Sequence, residues 1–497
     1  MSRDLTAAER KVLETLIGRV ERIVALGTAA ELAGTTVLTG PGPAPDYTVF
    51  HRRFALLAGR MREVRFVVRE DLPATMGAST AISDGPAPTV REVQLRPSMV
   101  GPGTRTLTTR AITLVHELSH SLPEGLGHPV KDYAYRAGWA WGHLPAAIAQ
   151  DNADTYAEAA ALLVERAEKA WGRHQVFGRL AAQRGRLARR AGTTTLGPAL
   201  AWLDILVNRA WVRASDATGF ARTNFSEAKW NTPEWSVWKH HARLLGLEQW
   251  LAARGFITER SLREGVVGLS PGDRAVVDEL FTYMGELKNA VHRIDPLLVE
   301  SGDRIDFDPA GGALRIPRGA VNHGPLELAD LVLDALVAAI STGPAARRFT
   351  GRAREIVHLL VNEDRPEERE AVAALRTGFA AVQAVQPTAD KWATLAIELQ
   401  AAVLEDVRVR WEVMLASVPE VAAMPEELDR EVLGGLAESY KEDVDLLHAL
   451  NGRVPVPSPL VKDLTTLLDG VTPYLVKADE RQRPELVKLR GRLGELR

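Results

Sequence analysis

Thr106-Leu-Thr-Thr-Arg-Ala-Ile-Thr-Leu-Val-His116-Glu117-Leu-Ser-His120-Ser121 is the stretch around which the rest of the chain is read. Its centre is an HExxH pattern, two histidines four residues apart with a glutamate directly after the first. Residues i and i+4 lie one above the other on a helix, so both imidazoles can reach one metal ion. Glu117 sits roughly 100° further round, where its carboxylate can poise over a water that the ion binds. Leu107, Ile112, Leu114, Val115 and Leu118 form a helical apolar stripe, Pro102 and Gly103 mark the loop before it, and Pro123 and Gly125 predict its end. The plain alternative is two ordinary histidines on a buried helix.

Composition narrows the chemistry. The 497 residues carry 61 basic and 64 acidic side chains, so no global field argues for a nucleic-acid or membrane partner. There is no cysteine, which excludes disulfides and thiolate metal sites; any zinc must be held by nitrogen and oxygen. The N-terminus lacks an apolar signal core, and no stretch approaches the ~18 apolar residues of a membrane span. The expectation is a soluble protein, cytoplasmic as synthesised, that needs some other machine to act elsewhere.

Thr6 and Glu9 form a capping box that opens a helix to about Ala25, and a short helix follows around Phe50 to Met61. Val64 to Val68 and Val90 to Leu95 read as strands joined by a small-residue loop. After the HExxH helix, a second helix runs through Asp151, Asp154 and Tyr156, and helices continue to about Arg263. The basic run from Arg173 to Arg190 reads as a solvated helix face rather than a phosphate grip. The tryptophans from Trp202 to Trp250 read as core and contact anchors. The fold class is α+β, mainly helical.

The second half echoes the first. Leu5 to Leu16 resembles Leu269 to Leu280, each with a capping box, and Val93-Gln-Leu-Arg-Pro97 is echoed by Leu314-Arg-Ile-Pro317. A helix from Ala329 to Ile340 stands where the first half has HExxH. Asn152-Ala-Asp154-Thr-Tyr156-Ala matches Thr388-Ala-Asp390-Lys-Trp392-Ala, and Leu203-Asp204 weakly matches Leu468-Asp469. We expect a duplication with units 1–265 and 266–497. Leu333 and Val337 then replace the two histidines, and neither can ligate a metal, so the second copy is degenerate.

A catalytic zinc site needs three protein ligands and one open position. His116 and His120 supply two; the residues leave Asp154, Asp151, Glu124, His128 and His143 as candidates for the third. A carboxylate suits a chain without thiols, because it partly neutralises the metal while leaving its water acidic. Asp154 also reads as an ordinary helix-start carboxylate.

Taken together, His116-Glu-Leu-Ser-His120, Asp132-Tyr-Ala-Tyr135 and Asn152-Ala-Asp154-Thr-Tyr156-Ala resemble the bacterial branch of the aspzincins, the deuterolysin-like and lysine-specific zinc endopeptidases. The resemblance covers about Val90 to Leu163 and implies a zincin-like domain. It also implies zinc on His116, His120 and Asp154, Glu117 as general base, and a peptide or protein substrate. Fungal members carry a tyrosine three residues after the aspartate. This chain has Ala157 there and Tyr156 one residue earlier, which leaves Tyr156, Tyr133 and Tyr135 as candidates to stabilise the oxyanion. By its residue type alone, Tyr156 reads as a core tyrosine with a satisfied hydroxyl.

In peptidases of this architecture an extended substrate adds to an edge strand beside the active helix, and Val93 to Leu95 is the strand expected to receive it. The leading expectation is therefore a zinc endopeptidase. Bacterial proteins that resemble aspzincins often resemble toxin-like effectors of phage-tail-like, contractile injection systems, which extends the expectation to such an effector. The alternatives are a non-catalytic interaction protein with a zinc-stapled or vestigial peptidase fold, and an unrelated metal-dependent hydrolase.

Overall fold

A computed structural model of the chain describes residues 2–38, 45–70, 72, 78–82, 90–101, 107–122, 130–135, 138–167, 196–222, 271–300, 302–340, 348–362, 366–382, 401, 404, 407–408, 411–412, 415, 430–451, 456–478 and 480–496. The basic run 173–190, the tryptophans from Trp230 to Trp250, Thr388 to Trp392 and the expected boundary near 265 lie outside these residues.

The fold is α+β and mainly helical. Helix α1 (Ala7–Leu26) starts at Thr6, whose hydroxyl accepts from the Glu9 amide while the Glu9 carboxylate accepts from the Thr6 amide, the reciprocal cap expected from sequence. Such caps stabilise a helix by about 1 kcal/mol. Helices α2 (Ala29–Thr35) and α3 (Tyr47–Glu63) follow, the latter capped by Asp46.

Strands β1 (Ser2–Arg3), β2 (Arg65–Arg69), β3 (Ala78–Ile82) and β4 (Val90–Leu95) form one sheet in the order β1-β2-β4-β3. The single turn α4 (Pro97–Val100) leads to the HExxH helix α5 (Leu107–Ser119). Ala111, Leu114, Val115 and Leu118 of α5 are fully buried, and the helix packs on α1, α3, the sheet and a later helix, α7 (Ala153–Ala167), which follows the short α6 (Ala146–Ala149).

Two expectations about the first sheet change. The segment between the two recognised strands holds a third, β3, whose Ala78-Ser-Thr-Ala-Ile82 sequence lacks the bulky β-branched run that usually marks a strand. β4 is therefore not the edge: β2 runs parallel to it on one side and β3 antiparallel on the other. Its Val93 and Leu95 are fully buried, as an interior strand requires. Among the described residues, the sheet edge beside α5 belongs to β3.

The long helix α8 (Leu196–Arg222) packs on α9 (Pro271–His292), α10 (Pro325–Ile340), α11 (Ala353–Asn362) and α12 (Pro366–Ala380). Between α9 and α10 lies a second sheet, β5 (Asp295–Val299), β6 (Asp306–Phe307) and β7 (Ala313–Pro317), in the order β5-β7-β6. Its wiring repeats that of β2, β3 and β4: the first strand is parallel to the third and the second antiparallel to it. In α10, Leu333 and Val337 are buried. Gly312, at the turn into β7, has a φ of 73° and lies so close to the Arg293 carbonyl that a Cβ would meet it at 2.3 Å.

One cluster of buried side chains extends from Leu5 to Phe379 and so takes in both sheets and residues of both expected units. A second gathers around Trp411, Tyr440 and the helices α13 (Arg430–Asn451), α14 (Ser458–Ala478) and α15 (Arg483–Gly494). No helix among the described residues is long and apolar enough to cross a membrane.

The start of α7 is fixed from α3. Arg53 reaches the Asp151 carboxylate at 2.7 Å and the Gln150 carbonyl at 3.0 Å, and both side chains of the pair are almost wholly buried. Removing one member of a buried pair leaves its partner's charge uncompensated, which costs about 3–5 kcal/mol. Arg53→Leu should lower the unfolding free energy by that amount in urea titration, and the double variant Arg53→Leu/Asp151→Leu should recover part of it. A loss under about 1 kcal/mol for the single variant would show that the pair is not a clamp.

Candidate metal centre

His116 lies in the last turn of α5, and His120 follows just past its end, where the Ser119 and Ser121 hydroxyls return to the His116 and Leu118 carbonyls. The two imidazole rings stand edge to face, 5.4 Å apart. Each ring is held at Nδ1: His120 by the Val130 carbonyl at 2.9 Å, His116 by Asp154 Oδ1 at 2.9 Å. A carbonyl or a carboxylate can only accept, so in both rings Nδ1 carries the proton, and a neutral ring then presents a bare lone pair at Nε2.

Both Nε2 atoms face one carboxylate. Asp132 Oδ1 is 3.2 Å from His116 Nε2, and Asp132 Oδ2 is 3.6 Å from His120 Nε2. His116, His120 and Asp132 each offer a ligand atom, all within 4.8 Å of one another. Asp132 Oδ1 is buried and has no hydrogen-bond partner. A buried anionic oxygen facing two lone pairs is a repulsive arrangement unless a cation or added protons lie between them.

The geometry thus redistributes the expected ligands. Asp154, expected as the third ligand, stands instead on the outer nitrogen of His116, where a carboxylate fixes the ring's tautomer and raises its basicity. The position facing both Nε2 atoms belongs to Asp132, a residue of the quoted Asp132-Tyr-Ala-Tyr135 segment that was not among the ligand candidates. Among those candidates, Asp151 is engaged with Arg53 and the His143 Nδ1 lies 3.1 Å from the Trp139 carbonyl, while Glu124 and His128 lie outside the described residues.

Asp132 is placed by a scaffold of backbone bonds. The Asn152 side-chain oxygen accepts from the Tyr133 and Ala134 amides at 2.9 and 3.0 Å, and the Lys131 backbone exchanges bonds with Asp151 and Ala153. Asn208 of α8 donates to the Asp132 carbonyl at 3.0 Å. The Asn-Ala-Asp segment therefore serves the site twice, through Asn152 for the ligand loop and through Asp154 for His116.

Tyr156 is not at the centre. It is fully buried against Phe50 and Phe54, and its hydroxyl donates to the Gln150 carbonyl at 2.9 Å. Tyr133 is also fully buried, with Arg209 over its ring. Tyr135 is the tyrosine at the centre: its ring lies nearly parallel to His116, 6.1 Å away, and its hydroxyl lies within the field of the Asp132 carboxylate. Burial, followed by the charges of Asp132, Asp154 and Glu117, holds that hydroxyl well above its ordinary range, so it stays protonated and can donate.

Glu117 is buried and held by Thr80 of β3, whose hydroxyl lies 2.6 Å from Oε2 and 3.0 Å from the Glu117 carbonyl. Helix α9 closes another side. Lys288 stands over the Tyr135 ring, and His292 Nε2 lies 3.1 Å from Asp204, a buried residue of α8 that also accepts from the Ala140 amide. Asp204 comes so close to Gly138 that a Cβ there would meet its oxygen at 2.2 Å, so this position requires glycine. Burial pushes Lys288 down to about 8, against the opposing pull of Asp132, Asp204 and Asp154.

Two imidazole nitrogens and one carboxylate are the donor set of a catalytic zinc site, and they leave a fourth position for water. Without metal, burial would lower the His116 pKa, but Asp132 and Asp154 outweigh it and hold it well above 6.5. That protonation stabilises the metal-free fold fully below pH ~6.5, and the contribution is lost as pH rises through the folded value. Zinc needs the neutral ring, so it should bind more tightly as pH rises and displace about one proton near pH 7. Calorimetric titrations in buffers of different ionisation enthalpy measure that release; zinc uptake without proton release would show that His116 is already neutral. The metal assignment rests on this geometry, for comparison with family models, curated proteins and solved structures finds no match.

Proposed function

We propose that the protein is a zinc-dependent endopeptidase, with the metal on His116, His120 and Asp132 and Glu117 as the general base. The observation that carries this reading is the convergence of two fixed Nε2 atoms on the two oxygens of one carboxylate, that of Asp132, with a second carboxylate one residue from the first histidine. Bound zinc supplies Lewis acidity and lowers the pKa of its water toward ~7.

The chain's own residues supply the rest. Glu117, oriented by the Thr80 hydroxyl, takes the proton of the attacking water and returns it to the leaving amine. Tyr135, kept protonated, donates to the oxyanion as the carbonyl becomes tetrahedral. Asp154 and the Val130 carbonyl keep both imidazoles aimed, the role that outer partners of metal ligands commonly play. An extended peptide pairs with the open edge of β3, so the strand that orients the base also receives the substrate.

This reading keeps the aspzincin-like order of HExxH followed by Asn-Ala-Asp, but it gives the third ligand position to Asp132. The second half, with its repeated sheet wiring and with buried Leu333 and Val337 where the first has its histidines, reads as a degenerate copy.

Glu117→Gln should keep about one zinc per chain and lower kcat on an unstructured protein substrate by about 10²–10⁴-fold. Asp132→Asn should abolish stoichiometric zinc, whereas Asp154→Asn should weaken it by about 10–100-fold. Elemental analysis and dialysis against a chelator separate these outcomes. If Asp154→Asn loses all zinc while Asp132→Asn keeps it, the ligand roles are reversed. If wild type and Glu117→Gln bind zinc and are equally inert on a broad peptide library, the endopeptidase reading fails and the metal is a structural staple.

A further inference from the structure

The end of α9 makes three separate contacts with the first unit's site region. The Trp139 indole donates to the Val291 carbonyl at 3.2 Å, His292 bonds to Asp204, and Lys288 enters between two aromatic rings. Its ammonium stands 3.9 Å from the centre of Tyr135 and 3.6 Å from that of Trp211. Among the described residues it makes no hydrogen bond. The ammonium therefore lies against two ring faces and within the pull of Asp132, Asp204 and Asp154, and its contact with the rings is favourable only where both faces are held in place.

The rings continue on either side. Trp211 stacks on Phe281 of α9 at 5.8 Å, and Tyr135 lies parallel to the metal-facing His116. A chain of ring and cation contacts therefore runs from Phe281 through Trp211, Lys288 and Tyr135 to His116. The Tyr135 ring thus lies between His116 and Lys288, and Lys288 is the charged group set against its face.

We propose that Lys288, on helix α9, is a positioning residue of the catalytic site, and that it acts by holding the Tyr135 ring against His116. This deepens the endopeptidase reading and rests on it for its kinetic part. Its structural part concerns the metal environment and stands apart from turnover. A cation over the ring face attracts it electrostatically and favours the held position of Tyr135 over a drifting one. Misplacing an oxyanion donor lowers kcat while leaving substrate binding largely alone.

The test uses the full-length zinc protein with Lys288→Met, Lys288→Arg, Tyr135→Phe and the double variant Lys288→Met/Tyr135→Phe. Lys288→Met should lower kcat about tenfold with KM within twofold, and Lys288→Arg, which keeps a cation over the rings, should stay near wild type. The double variant should be no slower than Tyr135→Phe alone, because both changes remove one function. On cobalt-substituted protein, Lys288→Met should shift the d–d absorption bands, since the ring stacked on His116 is no longer fixed, and Lys288→Arg should restore them.

If wild type binds metal yet cleaves nothing, the endopeptidase reading falls, and the cobalt spectra alone decide the role of Lys288. Additive loss in the double variant, or cobalt bands unchanged in Lys288→Met, would overturn the proposal. Should Lys288→Met fail to fold, Lys288→Gln replaces it, and a kcat loss that tracks a fall in Tm without a spectral change counts against positioning.

Discussion

The constraint on which the site depends is electrostatic. With Nδ1 of both histidines committed to acceptors, their Nε2 lone pairs can point only at Asp132, and the three groups repel one another unless positive charge comes between them. Everything nearby serves to keep that unfavourable grouping from relaxing. Asn152 and Asn208 pin the Asp132 loop, the Ser119 and Ser121 hydroxyls fasten the end of α5, and the buried Arg53–Asp151 pair fixes the start of α7. A rigid, repulsive ligand cluster binds a cation with little reorganisation, the condition for a fixed and reactive metal.

The sheet adds a second constraint. Because β3 completes the sheet beside α5, Thr80 can reach Glu117, and this carboxylate is anchored to a different element from the two histidines. Glu117, His116 and His120 are neighbours in sequence, yet they are aimed by separate parts of the fold. Such independent support is what keeps reacting groups aligned to a fraction of an ångström.

What was legible in the sequence follows the range of the interaction. His116, Glu117 and His120 are set by helical spacing, so their proximity could be read directly, as could the Thr6–Glu9 cap and the proline-closed strands β4 and β7. Asp132 could not be assigned, because no fixed spacing relates a loop carboxylate to a helix; its loop is placed by Asn152, well along the chain. The resemblance implied Asp154 as a ligand, whereas the folded chain sets Asp154 against Nδ1 of His116 and Asp132 against its Nε2. Thr80 was hidden in a strand of small residues. Lys288 carries no local mark at all, for its role comes from Tyr135 and Trp211, which only the folded chain brings to it.

The contact between the end of α9 and the loop of Tyr135 also has a consequence in time. A ribosome makes the metal-facing histidines long before it makes Lys288, and at about 5–20 residues per second the interval is roughly ten to thirty seconds. Throughout that interval the nascent chain has its ligands but not the lysine that steadies Tyr135. A site built this way passes through synthesis unfinished until the end of α9 reaches it.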